Sequence, residues 1–137
     1  MEKHFELTDK AFENSFTNCT LDPEIFSHEA HLRLAWIHIK NYGIEQAEEN
    51  IQKQLQNFIT FVDAKDKYNK TLTIAATKVV NHFIRQSNSN NFKDFILEFP
   101  QLKTRFKQLI ESHYNFDIFN SKYAKKEFLT PDLLPFD

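Results

Sequence analysis

The sequence predicts an all-α protein: a single-domain bundle of four main helices, with short helices towards its ends. Two observations indicate this fold class. The 137 residues contain one glycine, which disfavours tight hairpins and glycine-rich phosphate loops because both need positive φ or a close backbone approach. Apolar residues also recur every three or four positions along most of the chain, as on one face of a helix. A chain of this length suits one domain, residues 1–137.

The first two main helices are delimited by capping residues. Asp22 before Pro23, or Ser27 a few positions later, can cap the first main helix. Gly43 suits the left-handed position that often follows a last helical turn. The second main helix then has apolar residues at intervals of three and four: Ile44, Ala47, Ile51, Leu55, Phe58, Ile59 and Val62.

The third and fourth main helices follow a polar break at residues 63–67. The third carries an apolar face made of Tyr68, Leu72, Ala75, Ala76, Val79 and Phe83. A polar loop at residues 86–91 and a short helix ended by Pro100 come next. The fourth is marked by Leu102, Phe106, Leu109, Ile110 and His113. Asn120 or Ser121 can cap a last short helix that extends to about Phe128.

The composition argues against nucleic-acid and membrane partners. The formal charge is −2, and no field of either sign dominates. No stretch approaches the roughly 20 apolar residues that span a bilayer. Cys19 is the one cysteine, which excludes an intramolecular disulfide. These features predict a cytoplasmic protein and leave its oligomeric state open.

The stretch FSHEAHLRLAW, residues 26–36, contains two histidines three positions apart. Helical spacing puts His28 and His31 on the apolar stripe of the first main helix, with the small Ala35 one turn further on. Glu29 and Arg33 fall on the opposite, polar side, where we expect solvent. The alternative for Arg33 is that it turns inward and recognises a charged group. Both rings should therefore face the interior, with space above them.

The third main helix also mixes polar groups into an apolar face. If the first and third helices bring these faces together, a small molecule can bind between them. The residues expected to bind it are His28, His31, Tyr68, Asn69 and Thr71.

Three roles for the histidine pair remain open. Each ring can be a buried side chain that only hydrogen-bonds within the core. The pair can instead hold a divalent metal ion, the one cofactor that the pattern suggests, with further ligands among His82, His113, Glu29 and Glu111. The rings can also exchange protons with a small-molecule ligand, although the sequence does not establish that any reaction is catalysed.

A different class of function is a non-catalytic interaction module, in which the histidines are structural. Its expected signature is an exposed apolar patch, and the segment Leu133–Leu134–Pro135–Phe136 is the candidate.

Three segments resemble a family of small bacterial proteins without an established activity. Phe26–Trp36 resembles that family's F-[ST]-H-x-x-H-[LIV]-R-[LV]-[AG]-W segment, and Lys67–Thr73 is similar to its K-Y-H-x-T-[LIV]-T segment. The closing pattern of the family is similar to Ser121, Ala124, Phe128, Pro131 and Asp132. The resemblance spans residues 26–132 and implies a shared helical fold and a shared polar site. This chain has Asn69 where the family usually has histidine. The change weakens the metal role and favours binding over catalysis, because an amide is a poor transition-metal ligand and does not titrate near neutral pH. The alternative is that this position has no chemical role.

Overall fold

A computed structural model describes residues 1–137, which form helices and no strand, so the predicted all-α class is confirmed. There are eight α-helices: α1 (Asp9–Thr17), α2 (His28–Tyr42), α3 (Ile44–Phe61), α4 (Lys70–Gln86), α5 (Phe92–Glu98), α6 (Gln101–Thr104), α7 (Phe106–Glu111) and α8 (Lys122–Lys126). Short 3₁₀ helices lie at Lys3–Glu6, Pro23–Ile25 and Lys65–Lys67. None of the helices combines the length and the apolar character needed to cross a membrane.

The chain forms two compact units, residues 1–68 and 69–137. In the first, α2 packs along α3, and α1 contacts both. The Ser27 side chain accepts a hydrogen bond from the Ala30 backbone N–H and so caps α2, as one of the two predicted alternatives, while Asp22 caps the 3₁₀ helix Pro23–Ile25. Gly43 follows α2 with φ of 83°, which confirms the predicted left-handed position and lets α3 begin at the next residue.

Phenylalanine rings fill the interior of the first unit. Phe12 and Phe16 of α1 are fully buried, and the Phe16 ring stacks on Phe58 of α3 with ring centres 4.9 Å apart. Burying each such ring stabilises the fold by about 1.5–3 kcal/mol. The predicted apolar face of α3 is confirmed, since its buried residues are Ala47, Ile51, Leu55 and Phe58.

In the second unit, α4 contacts α7 and α8. The fourth main helix is interrupted at Arg105, so that it consists of the short helices α6 and α7. Ser121 caps α8, as one of the two predicted alternatives, but α8 ends at Lys126 before reaching Phe128. The short helix ended by Pro100 is confirmed as α5.

His38 lies in the core of the first unit, where its side chain has no exposed surface. Its Nδ1 atom is 3.4 Å from the Asn50 amide nitrogen, which can only donate, so the ring proton lies on Nε2. That Nε2 atom has no hydrogen-bond partner. Burial lowers the pKa of His38, and the charge of Glu13 opposes this effect only in part. His38 is therefore neutral in the folded protein at neutral pH.

This burial predicts a loss of stability in mild acid. In the unfolded chain His38 binds a proton near pH 6.5, whereas in the folded protein the ring binds one only at lower pH. The contribution of His38 to the free energy of unfolding is therefore complete above pH 6.5 and declines as the pH falls below it. The slope from one such group is at most about 1.4 kcal/mol per pH unit. We expect urea unfolding of His38→Gln to show a weaker decline between pH 7.5 and 5.5 than unfolding of the unmodified protein. If the free energy of unfolding fell with pH at the same rate in both proteins, this account of His38 would be contradicted.

Candidate functional site

The histidine pair of the first main helix lies at the surface. His28 and His31 are both exposed, so the expectation that their rings face the interior is wrong. The His31 ring stacks on Phe26, with ring centres 3.8 Å apart. Desolvation by the surrounding protein lowers the pKa of His31, and the charge of His28 adds to this effect.

The residues assigned to the polar side of α2 are the buried ones. Glu29 and Arg33 are each 5% exposed, so their predicted solvent exposure is wrong. From the sequence, these two charged residues are expected in solvent, because a buried charge is costly unless it is paired. Here the segment before α1 covers both side chains and supplies partners for them.

Two of the polar residues expected on the third main helix, Asn69 and Thr71, have structural hydrogen bonds. Tyr68 and Asn69 both precede α4, and Asn69 caps that helix: its Oδ1 accepts from the Leu72 N–H, and its Nδ2 donates to the Ile118 carbonyl at 2.8 Å. Asparagine is among the best capping residues, which gives a structural reason for it at this position.

Thr71 connects α4 to a later segment of the second unit. Its hydroxyl donates to the Glu127 carbonyl at 2.7 Å and accepts from the Leu129 N–H at 3.0 Å. A ligand would compete with these bonds. Ligand binding by His28, His31, Tyr68, Asn69 and Thr71, and metal binding by the two histidines, stay predictions.

A buried cluster in the first unit is built around Arg33. Its guanidinium donates to the carbonyls of His4 and Leu7, at 2.5 and 2.8 Å, and pairs with Asp9 at 2.9 Å. Its central carbon also lies 5.0 Å from the centre of the Phe12 ring, a cation–π contact. One side chain therefore fixes the segment that leads into α1 against α2.

The His4 ring is placed by this arrangement next to two carboxylates. His4 is fully buried, and its Nε2 lies 2.6 Å from Glu29 Oε1 and 3.8 Å from Glu2 Oε1. Its Nδ1 is 3.4 Å from Nη1 of Arg33, a group that can only donate. The ring therefore carries its proton on Nε2, directed at Glu29. The Ser27 hydroxyl donates to Glu2.

Sequence reasoning missed His4 and Glu2 entirely. His4 lies 25 positions from Glu29 and 29 from Arg33, so no local spacing connects them. The one available signal was Arg33 itself, an arginine within a strongly apolar helix, which has to find partners if it is buried.

The second unit contains a cavity of about 480 Å³. It lies between α4, the end of α7 and the segment at residues 134–137. Its lining residues are Val79, His82, Phe83, Leu109, Ser112, His113, Leu134, Pro135, Phe136 and Asp137. This volume is within the range of about 300–1,000 Å³ that small-molecule sites occupy.

Two histidines fix the polar edge of this cavity. His82 Nδ1 contacts the Asp137 carboxylate at 2.8 and 2.9 Å, and Arg85 reaches the same carboxylate at 3.5 Å. The hydrogen bond from His82 lowers the pKa of Asp137, and the charge of Arg85 adds to this effect. His113 donates from Nδ1 to the Leu134 carbonyl at 2.7 Å, and its ring stacks on Phe136 at 4.2 Å.

The cluster around Arg33 predicts the effect of its removal on stability. Arg33→Met keeps an apolar stem but leaves two carbonyls and Asp9 without their donor, so we expect the first unit to lose about 2–4 kcal/mol. Urea unfolding followed by the fluorescence of the buried Trp36 measures this loss. Arg85→Met is the control, because Arg85 is 62% exposed and its removal should cost less than about 0.5 kcal/mol. Equal effects of the two substitutions would show that the Arg33 contacts contribute no more than a surface pair.

Comparisons with known proteins identify no relative: no protein-family model, no curated protein and no solved structure matches this chain. The family resemblance of residues 26–36 and 67–73 stays a prediction. Function is therefore inferred from the geometry of the two sites.

Proposed function

We propose that this protein binds a small, largely apolar molecule that carries a carboxylate, in the cavity between His82 and His113. This proposal keeps the small-molecule function expected from the sequence but places it on other histidines. The observation that carries it is the Asp137 carboxylate, which sits on His82 and Arg85 at the edge of an apolar cavity.

The walls of the cavity suit an apolar body. Val79 and Phe83 of α4 present buried apolar surface, and Leu109 of α7 is half-buried. The His113 and Phe136 rings add an aromatic pair to the lining. Transfer of apolar ligand surface onto such walls contributes about 25 cal/mol per Å² of area removed from water.

The edge of the cavity suits an anion. His82 accepts a hydrogen bond at Nε2 from the Gln86 amide at 2.8 Å, which leaves its Nδ1 proton directed at the carboxylate of Asp137. Arg85 brings a permanent positive charge to the same carboxylate. A ligand carboxylate can make the same contacts when it displaces Asp137.

Displacement of the Asp137 side chain alone requires little loss of packing and leaves the Phe136 ring in the wall of the cavity. The side chains of His82 and Asp137 are 42% and 47% exposed. Ion pairs this exposed contribute about 0–1 kcal/mol, so a ligand that also fills the cavity can replace the Asp137 contact.

Octanoate and octanol, which share an eight-carbon chain, test the proposal in an NMR titration of backbone amides. We expect both to shift the amides at residues 79–83, 109–113 and 134–137, and octanoate to bind about two- to fivefold more tightly, a difference of about 0.4–1 kcal/mol. The double variant His82→Phe/Arg85→Met should bind the two molecules equally, since it retains the apolar walls but lacks both the N–H donors and the cation.

The matched control for this titration is His28→Ala/His31→Ala, which should bind octanoate like the unmodified protein. Loss of octanoate binding in this control, together with amide shifts around residues 28–31 in the unmodified protein, would favour the site first expected from the sequence. Absence of any preference for octanoate in the unmodified protein would refute the anion contact. Capture of another protein chain at residues 133–136, with no small molecule bound, would favour the interaction module.

A further inference from the structure

We infer that the first unit contains a site for one divalent transition-metal ion, formed by Glu2, His4 and Glu29. Their ligand atoms, one imidazole nitrogen and two carboxylate oxygens, all lie within 4.8 Å of one another. This inference is independent of the cavity in the second unit. It also differs from the metal site expected from the sequence, which used His28 and His31.

The donor set suits ions such as Zn²⁺, Mn²⁺, Fe²⁺ and Co²⁺, which accept both imidazole nitrogen and carboxylate oxygen. One ion with bonds of about 2.0–2.2 Å holds its ligand atoms about 3.0–3.5 Å apart. The distances from His4 Nε2 are 2.6 Å to Glu29 and 3.8 Å to Glu2, and the two carboxylate oxygens lie within 4.8 Å of each other. Shifts of about 1 Å for each atom therefore bring the three atoms to the separation that one ion needs.

The charges of the cluster favour a cation at this point. The guanidinium of Arg33 is paired with Asp9, so its charge is matched outside the cluster. Glu2 and Glu29 approach the same nitrogen of His4, and the like charges of the two carboxylates repel each other. A divalent ion in place of the Nε2 proton neutralises both carboxylates.

The site also has an entry path. The Glu2 side chain is 32% exposed, whereas His4 and Glu29 are buried. An ion can therefore bind first at Glu2 and then displace the His4 proton, with water completing its coordination on the exposed side. Ser27 donates a hydrogen bond to Glu2 and so orients this carboxylate, as partners of metal ligands commonly do.

Metal binding has a specific consequence for the His4 ring. Without metal, Nε2 donates to Glu29 and Nδ1 accepts from Arg33. When an ion binds Nε2, the ring proton lies on Nδ1. Nδ1 can then no longer accept from Arg33, so the weak 3.4 Å contact between them is lost. Arg33 keeps its bonds to the His4 and Leu7 carbonyls and to Asp9, so the segment stays in place.

Two measurements on the full chain test this inference. Dialysis against Zn²⁺, Mn²⁺ or Co²⁺ should leave one ion per chain, and a Co²⁺ titration should give a Kd that Glu2→Gln raises at least tenfold. Glutamine retains an oxygen that accepts from Ser27 but lacks the charge, and the partial exposure of Glu2 makes it a variant that folds. In ¹⁵N NMR of the histidine rings, Zn²⁺ should convert His4 from the Nε2–H to the Nδ1–H form.

The control is His28→Ala/His31→Ala, which should bind the ion with unchanged stoichiometry and affinity. The inference would be overturned if the protein retained none of the three metals at one ion per chain. So would an unchanged affinity in Glu2→Gln, or loss of the ion in the histidine double variant. A His4 ring that keeps its Nε2–H form when the ion is bound would equally exclude it as a ligand.

Discussion

The buried guanidinium of Arg33 is the interaction on which the first unit depends. A charge 5% exposed within an apolar helix is stable only if its donors are satisfied, and here the carbonyls of His4 and Leu7 and the carboxylate of Asp9 satisfy them. His4 and Leu7 belong to a segment without a long helix of its own, and Asp9 begins α1, so the same contacts hold that segment and the start of α1 on α2. The position of the His4 ring beside Glu29 follows from this attachment.

The second unit uses the same principle with different groups. There too, a segment without regular structure, residues 129–137, is held by polar contacts from residues that are distant in the sequence. The Tyr114 hydroxyl donates to the Leu129 carbonyl, the Asn115 N–H donates to Asp132, and His113 donates to the Leu134 carbonyl. The apolar cavity is enclosed on one side by this segment. Each unit therefore has its candidate site at the contact between a helix and a segment anchored on it.

The sequence predicts best what is decided locally. Ser27 and Gly43 were predicted because a capping hydroxyl and a left-handed residue act within a few positions of the helix end. The orientation of α2 could not be predicted in this way. Helical spacing places Glu29 and Arg33 in solvent, and the pairing that reverses this result comes from residues 24 to 29 positions away. A helix covered on several sides also lacks the single polar face that the spacing argument assumes. The cavity was missed for the same reason, since residues 134–137 reach it from another part of the chain.

The central claim is that the candidate sites are formed by His4, His82 and His113, and not by the exposed pair His28 and His31 on α2. Contacts from distant segments determine which ring nitrogen of these three histidines carries the proton. Long-range ¹H–¹⁵N spectra of the histidine rings at pH 8, without metal, test it most directly. The structure predicts that His4 is in the Nε2–H form, held between Glu29 and Arg33, and that His82 and His113 are in the Nδ1–H form. A His4 ring in the Nδ1–H form, or one that averages both forms, would contradict the account.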